Sequence, residues 1–573
     1  MTRTDTFVVG TLVLLLAVVA GLIGVPALTP TAATPTPTPT EPPILEARPY
    51  REGILGGPVS VSPLTARSQV DRDIVALVFS GLMRNGPGAT LVPDLAERWS
   101  VDATGTTWTV TLRDGATWHD GVPVTSADVA YTIRTMQDPE YAGPAAGSWS
   151  EVTVTTPSER TVQFTLATPL GGFLQALTQP IAPSHILGDV PAGQLPEHPF
   201  GQQPVGNGPF ALVELTPTSA ILVPAPGALE PEPSPMASDA LGTALPTQRP
   251  ERPVPYLDGI EFRFALDGAS IITAFDAGDL DGLSNLSPAT SVDIAAATGS
   301  RLLRYPGTTL TTVLLNQRPD HPEFRDMGVR AALLTAIDRS AIIDDVFAGA
   351  AVPATGPIPS SNEWYDADAD PGVAYDPDAA VAALEKAGWT KKDDGWFLDG
   401  GTKELTLEVL STSQESNPAL FAAAAAVVAD WRAIGIDATH VALPPGEFAT
   451  DRLATGSFDV AVTDVTIGID PDLYPLLAST QTLTGGSNVS GVQDERLDRL
   501  LIKARAPGSE AARAAAYTAL QEHLATGRFV LPIAFADEVV VVHDTLEGAE
   551  VRQVTDPSDR FWDVLTWRLA DGP

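Results

Sequence analysis

The sequence predicts an α/β protein in which mixed sheets are flanked by helices, and three observations support this fold class. Apolar residues alternate along short segments such as 106–115 and 160–169, which is the pattern of half-buried strands. Segment 417–436 instead repeats apolar residues at helical spacing. With 573 residues, of which 44% are hydrophobic, the chain is long enough for about two to four domains with their own cores.

Composition narrows the classes of function. The formal net charge of −37 argues against binding to nucleic acid or to an anionic membrane surface, because both require clustered Lys and Arg. The chain has no cysteine, which excludes disulfides and thiolate metal sites. The seven histidines are scattered singly, so we predict neither a metal site nor a cofactor.

The N-terminal sequence predicts that the protein is exported from the cytoplasm. Segment 7–28 carries no charge and is long enough to cross a bilayer, which takes about 20 apolar residues. Residues 1–28 are therefore interpreted as a signal anchor or as a cleaved signal peptide. Residues 29–45 are rich in Pro and Thr and predict an extended spacer with a reach of roughly 45 Å. The body of the protein is expected outside the cell membrane, tethered by the N-terminal helix or, after cleavage, secreted.

A second Pro-rich segment, residues 224–255, contains few large apolar side chains. Such a composition cannot bury enough surface to offset its ordering entropy, so we predict a disordered insertion. Alternating apolar residues on both sides indicate that it interrupts one domain rather than separating two.

Residues 112–132 concentrate carboxylates and a histidine, as an active site would. Thr125 and Asp128 instead match a capping box at a helix start, and the Asp-Gly pairs at 114–115 and 120–121 match tight turns. No nucleophile or second carboxylate is placed to work with His119, so we predict a structural hydrogen bond there. The stretch is interpreted as scaffold.

Two helices further along the chain have marked ends. Asn417 is predicted to cap one helix that stops at Gly435, and Asp376 to cap another that stops at Gly388. In both cases Pro follows the capping residue, at the first helical position.

Four segments in order resemble the family 5 extracellular solute-binding proteins. The first is "LVPDLAERWSVDATGTTWTVTLRDGATWHDGVPVTSADVAYT" and the second is "LLNQRPDHPEFRDMGVRAALLTAIDRSAIIDDVFAGAAVPATGPIP". "YDPDAAVAALEKAGW" and "FDVAVTDVTIGIDPDLYPLLAS" follow. The resemblance spans residues 46 to the C-terminus.

The resemblance implies a two-lobed, periplasmic-binding-protein-like (type II) fold with a hinge. Lobe I would comprise residues 46–266 and the returning segment 530–573, and lobe II residues 267–529. Hinge strands are expected near 262–268 and 531–539, where apolar β-like residues occur.

The resemblance also implies a function without catalysis: the substrate-binding component of an ABC importer. A small molecule or peptide would be captured between the lobes and delivered to permease subunits in the membrane. We expect a monomer.

Aligned on the Asp470–Pro471 dipeptide, the chain departs from the pattern of peptide-binding members. Asp464 stands where the family has a ligand-side Trp, and Ile467 stands where the family has the Asp that meets a peptide's amino terminus. A standard peptide clamp is therefore not expected, and Asp464 is left to accept a cation or a sugar hydroxyl, or to be a solvated strand-end carboxylate. The predicted ligand-binding residues are Asn316, Asp464, Thr466, Asp470, Trp364 and Trp149.

Two alternatives stay open at this point. An exported hydrolase would need a recognisable nucleophile or metal motif, and no G-x-S-x-G, H-E-x-x-H or P-loop pattern is present; a pair of glycosidase carboxylates is not excluded among 71 acidic residues. A surface-tethered ligand sensor or adhesin would use the same fold, anchor and spacer.

Overall fold

The computed structural model describes residues 48–88, 90–145, 148–225, 257–392, 395–398, 403–482 and 486–570. The predicted signal segment and spacer, and all but the first two residues of the predicted insertion, lie outside these ranges. Ala47–Pro573 forms one compact unit that contains every strand and core described below, so it is able to fold by itself. Within the described ranges, no helix has both the length and the apolarity to cross a bilayer.

The strands, numbered β1 to β22 in chain order, are Tyr50–Leu55, Met83–Asn85, Leu91–Pro93, Ala96–Val101, Thr107–Leu112, Val152–Ser158, Thr161–Leu166, Phe210–Leu215, Ser219–Pro224, Ile260–Ala265, Gly282–Ser284, Arg301–Leu315, Ala351–Pro353, Thr390–Lys392, Gly395–Leu398, Lys403–Glu404, Thr406–Thr412, Asp437–Leu443, Val460–Thr466, Leu531–Val542, Leu546–Glu547 and Arg568–Leu569.

The helices, numbered α1 to α14, are Gln69–Val78, Ser126–Met136, Phe173–Ala176, Ser184–Leu187, Gly268–Asp276, Pro288–Thr298, Pro322–Arg325, Met327–Thr335, Arg339–Phe347, Pro377–Lys386, Pro418–Ala433, Tyr474–Leu477, Glu495–Arg505 and Glu510–Gly527. Short 3₁₀ segments span Ala192–Glu197, Pro199–Gly201, Ser479–Thr482 and Pro557–Thr566, and a π-helical turn spans Glu447–Leu453.

One mixed sheet runs through the molecule in the order β18-β17-β19-β12-β20-β11-β1-β10-β9-β8, with β13 also paired to β20. We call β11, β1, β10, β9 and β8 the first half of this sheet, and β18, β17 and β19 the second half. β12 and β20, of 15 and 12 residues, pair with each other and connect the two halves. A separate four-stranded sheet, β4-β5-β7-β6, lies in the N-terminal part of the chain.

The connecting strands differ in part from the sequence expectation. β20 contains the expected hinge segment 531–539, but residues 262–265 belong to β10, which pairs with β1 and β9 inside the first half. The strand that accompanies β20 is β12. Helix α5 and strand β11 also pack beside β1, in residues that the sequence analysis assigned to lobe II. The lobe limits themselves stay a prediction.

Each half of the sheet has its own apolar core. The largest cluster surrounds the first half and the four-stranded sheet, and it includes Tyr50, Trp108, Phe164 and Trp567. A second cluster lies between α8, α11 and the second half, with Trp431 at its centre.

The scaffold interpretation of residues 112–132 is confirmed. The Asp128 carboxylate accepts a hydrogen bond from the Thr125 backbone N–H at 2.8 Å, at the start of α2. The ring of His119 bonds to the Gly208 carbonyl at 3.1 Å. Gly115 and Gly121 have φ of 70° and 85°, as the predicted turns require.

The predicted helix caps are also confirmed. The side chain of Asn417 accepts from the backbone N–H of Leu420 at the start of α11. The side chain of Asp376 accepts from the backbone N–H of Ala379 at the start of α10. Both helices have Pro at their first position, as the sequence indicated.

A buried charge cluster joins both ends of the chain. The Arg560 guanidinium donates to Glu52 at 2.7 Å and to both oxygens of Asp73 at 2.7 and 2.8 Å. The Ser284 hydroxyl donates to Glu52 at 2.6 Å. The charged side chains are at most 1% exposed, so one cation is the shared partner of two carboxylates, on β1 and α1, that solvent does not reach.

Replacing this cation should destabilise the protein strongly. We expect Arg560→Ala to lower the free energy of unfolding by about 3–5 kcal/mol, because two buried carboxylates lose their partner. Arg499 is a matched control: it is 69% exposed and pairs with Glu495 on the same helix, so Arg499→Ala should cost less than about 1 kcal/mol. Urea unfolding followed by tryptophan fluorescence measures both. Equal midpoints for the two variants would contradict a structural role for the cluster.

Candidate ligand-binding cleft

Polar side chains gather where β12 pairs with β19. The antiparallel register sets Thr311 opposite Asp464 and Thr309 opposite Thr466, so all four lie on one face. The Thr311 hydroxyl donates to Asp464 at 2.7 Å, and the Asn417 amide donates to its second oxygen at 3.2 Å. The hydroxyls of Thr309 and Thr466 are 3.2 Å apart. Of the residues predicted to bind ligand, Asp464 and Thr466 therefore lie together.

A cavity of about 220 Å³ at the connecting strands is bordered by three of these side chains, Thr309, Thr311 and Asp464. Its walls come from both parts of the molecule: Leu286 and Pro288 follow β11, while Ala419 and Leu420 belong to α11 beside the second half. Asp537 and Glu538 of β20 complete the lining. We call this cavity the cleft.

The cleft is acidic. Burial raises the pKa of Glu538 to about 7, against the lowering influence of the Arg560 charge. The side chain of Asp464 keeps contact with solvent through the cleft, but the surrounding protein desolvates its carboxyl and raises its pKa. Asp537 is paired with Arg304 at 2.7 Å. Glu538 and Asp464 are thus the carboxylates available to a cation or a hydrogen-bond donor.

Asp470 and Trp364 form a second group. The Asp470 carboxylate accepts from Arg513 at 2.8 and 2.9 Å and from the Tyr517 hydroxyl at 3.1 Å. The Arg513 guanidinium lies over the Trp364 ring, 4.7 Å from its centre. Trp364 is 8% exposed. These two predicted residues engage protein groups, and neither lines the cleft.

This group meets a loop from the other side of the molecule. The backbone N–H of Gly171, after β7, donates to the Arg505 carbonyl at 2.8 Å. A Cβ atom at Gly172 would lie 2.4 Å from an oxygen of Asp470. Nearby, Gln553 donates to the Ser361 hydroxyl at 2.7 Å. The part of the chain containing the four-stranded sheet therefore touches the part containing α13 and α14, and we call this the closed contact.

The last two predicted residues lie elsewhere. Asn316, at the end of β12, is fully buried and donates to the carbonyls of Gly456 and Phe458 at 3.0 and 2.7 Å. Trp149 packs against Phe164 and Phe173 in the core of the N-terminal part. Neither borders the cleft, and ligand contacts by either one stay a prediction.

Sequence analysis missed Glu538 and Thr311 as members of the cleft, and it missed the hydrogen bond from Asn417 to Asp464. The alternating Thr residues of "TTLTT" in β12 were a usable signal, since every second residue of a strand shares a face. Nothing in the sequence placed Glu538 near Asp464, because their proximity depends on how β19, β12 and β20 are ordered.

Two halves joined by long connecting strands, with a cavity lined from both, define a two-lobed ligand-binding protein. The model of the bacterial extracellular solute-binding proteins, family 5 (middle region), matches residues 90–488. The match covers more than half of the chain, so this protein belongs to that family, and it is a solute-binding protein rather than an enzyme.

Similarity extends over nearly the whole chain. Protein XP55 of Streptomyces lividans is 28% identical over 507 residues, which cover 87% of this chain and 85% of that protein. The oligopeptide-binding protein AppA of Bacillus subtilis, solved with a nonapeptide, superposes with a TM-score of 0.70 at 22% identity, covering 92% of this chain and all of AppA. The ABC transporter substrate-binding protein CtaP of Listeria monocytogenes gives 0.71 at 22% identity, covering 92% and 100%. At this identity the superpositions establish the two-lobed fold and not the ligand.

Adding a methyl group at Gly172 by substitution with alanine tests the closed contact between Gly172 and Asp470. Its φ of −84° suits alanine, so the backbone tolerates Gly172→Ala, but the new Cβ would overlap Asp470, which Arg513 and Tyr517 hold in place. We expect the substitution to cost the closed form about 1–3 kcal/mol, the usual range for overpacking. Small-angle scattering should then give a larger radius of gyration. Gly446→Ala is the control, because a Cβ there meets no atom within 4 Å; equal radii for both variants would refute the contact.

The raised pKa of Glu538 predicts that the stability of the protein depends on pH. Its pKa is raised from 4.5 to about 7 in the folded protein, so between these values the folded state holds a proton that the unfolded state has lost. The free energy of unfolding should therefore fall as pH rises through this window, by up to about 3 kcal/mol. Glu538→Gln lacks this contribution. Denaturant unfolding at pH 5 and pH 8 should show a smaller loss for the variant than for the wild type, and identical losses would disprove the shift.

Proposed function

We propose that this protein is the substrate-binding component of an ABC importer. It works as a monomer outside the cell membrane, tethered by residues 7–28 and spaced from the bilayer by residues 29–45. A solute enters between the two halves, the halves close, and the closed form delivers the solute to permease subunits. The observation that carries this proposal is the cleft, which is lined from both halves at the strands that connect them.

The solute is proposed to present a cationic or hydroxyl-rich group to Asp464 and Glu538. Asp464 keeps solvent contact, and its two hydrogen bonds come from neutral groups, so its charge is not neutralised by a protein cation. The hydroxyls of Thr309 and Thr466 lie beside it and add donors and acceptors for sugar or amine groups. Membership of the family supports capture of a solute. The partnership with an ABC permease is proposed because the similar protein CtaP is described as an ABC transporter substrate-binding protein.

A thermal-shift screen of residues 47–573 against peptides, glycans and metal chelates should identify the solute. A ligand at 100 times its dissociation constant should stabilise the fold by roughly 2.7 kcal/mol. Asp464→Ala should reduce that ligand-induced shift and leave the unliganded melt nearly unchanged, because the side chain keeps solvent contact. Asp544→Ala, at a carboxylate that is 76% exposed, is the control and should keep the full shift. A full shift in Asp464→Ala would remove this residue from the site.

An assay of solute uptake by cells distinguishes the importer hypothesis from the sensor or adhesin hypothesis. Cells that lack this protein should fail to import the solute found in the screen, and the wild-type gene should restore import. Normal import in the absence of the protein would reject the importer and leave the sensor or adhesin hypothesis.

A further inference from the structure

The cleft has two acidic groups whose charge is not balanced on its own walls. Among the described residues that border it are Asp464, Asp537 and Glu538, and none of them is a lysine, arginine or histidine. Asp537 is paired with Arg304 at 2.7 Å. Asp464 accepts its hydrogen bonds from neutral groups. Asp464 and Glu538 are therefore left for a solute to neutralise.

Arg560 acts on Glu538 through its charge, while its hydrogen bonds go to other groups. The guanidinium donates to Asp73 and Glu52. The further groups that act on Glu538 or lie opposite it are Asp73 on α1, Glu52 on β1, Asp556 before the last 3₁₀ segment, and Tyr305 on β12. The charged members of this set are carboxylates and Arg560 is shared among them, so a cation beside Glu538 would meet an acidic environment.

The two carboxylates are too far apart to share one ammonium group. Asp464 is on β19 and Glu538 on β20, with β12 between them, which sets these strands about 10 Å apart. Asp464 is opposite Thr311, and Thr311 is opposite Ala534. Glu538 lies four residues beyond Ala534 in β20, which is about 13 Å along the strand. Both carboxylates border the same cavity, so a solute that neutralises both needs two separate cationic groups.

Most of the other walls of the cleft are apolar. Leu286, Phe347 and Leu420 contribute large hydrocarbon side chains. Such walls suit a methylene chain, whereas the many hydroxyls of a sugar would be left without partners there. The cavity of about 220 Å³ has room for about seven water molecules at roughly 30 Å³ each, and hence for a chain of about seven non-hydrogen atoms.

We propose that the solute is a compact linear diamine, with one ammonium group paired with Asp464 and the other with Glu538. The diamine rests on the proposed function, because it names the class of solute for the same cleft. Thr309, which also borders the cleft, supplies a further acceptor for the ammonium group at Asp464. The alkyl chain contacts the apolar walls.

Binding of a diamine releases a proton from Glu538. Burial raises the pKa of this carboxyl to about 7, so at pH 6 it is mostly protonated, whereas alkylamines, with pKa values near the 10 or so of lysine, are charged. Pairing ionises the carboxyl and its proton passes to the buffer. The affinity for a diamine should therefore rise about tenfold from pH 6 to pH 8. In Glu538→Gln, which has no such proton to release, this rise should be smaller.

1,5-Diaminopentane is a suitable probe, because it carries two ammonium groups on a short alkyl chain. Pentylamine has the same chain with one ammonium group, and 1,5-pentanediol has a hydroxyl at each end. Isothermal titration calorimetry of residues 47–573 at pH 8 should give one diamine site per chain. Pentylamine should bind about tenfold more weakly or worse, since it lacks one charge-assisted pair, and the diol more weakly still. Equal affinities for the two amines, or absence of saturable diamine binding, would overturn the proposal.

Glu538→Gln tests which carboxylate holds the second ammonium group. The variant keeps the shape of the protonated side chain, and circular dichroism checks its folding. It should lower the affinity for the diamine about tenfold or more and leave that for pentylamine nearly unchanged, because a single ammonium group pairs with Asp464. Asp544→Asn, at a carboxylate that is 76% exposed, is the matched control and should bind both amines as the wild type does. An equal loss for both amines in Glu538→Gln would reject Glu538 as the second partner.

These outcomes separate the diamine from the importer. If the diamine does not bind, while another solute from the thermal-shift screen loses its shift in Asp464→Ala, the diamine is wrong and the importer stands. If the diamine binds as described, but cells that lack the protein import it normally, the diamine is supported and the importer is rejected.

Discussion

The architecture depends on one guanidinium. Arg560 comes from the end of the chain and holds carboxylates on β1 and α1, from its beginning, where no water is available to solvate them. The cost of burying these charges is best compensated when all three side chains are in place, so the cluster couples the stability of β1, α1 and the C-terminal 3₁₀ segment. Arg560 follows the second half in the chain but contacts the first half. β20 is the strand that connects the second half back to the first.

The same cluster influences the cleft. Glu538 lies on β20, and its pKa responds to the positive charge of Arg560 and to the negative charges of Asp73 and Glu52. Burial is the main cause that raises the pKa of Glu538 to about 7, and the positive charge of Arg560, which is shared with two buried carboxylates, only partly opposes it. A cationic group of a solute would supply the missing charge. The buried cluster and the cleft thus share one electrostatic environment at the connecting strands.

Local features were predictable from the sequence and long-range ones were not. The Thr125–Asp128 cap, the Asn417 cap and the turn at Gly121 each depend on residues within a few positions, and the structure confirms them. The choice of β12 rather than β10 as the partner of β20 depends on strand order, which alternation of apolar residues does not encode. For the same reason Asp464 was identified as a candidate by its motif, whereas Glu538 was found only in the structure.

Ile467 stands where peptide-binding members of the family have an Asp, and this difference changes the chemistry of the position. Ile467 is 8% exposed and packs in a core with Leu310 and Trp364, so the position that would carry the family's amino-terminus clamp is apolar here. The available carboxylate stands three residues earlier, at Asp464, which is about 10 Å along an extended strand. Asp464 borders the cleft and Ile467 does not, so the carboxylate and the position of the family's clamp have different surroundings. The cavity there, at about 220 Å³, is small for a long peptide, and this favours a compact polar solute.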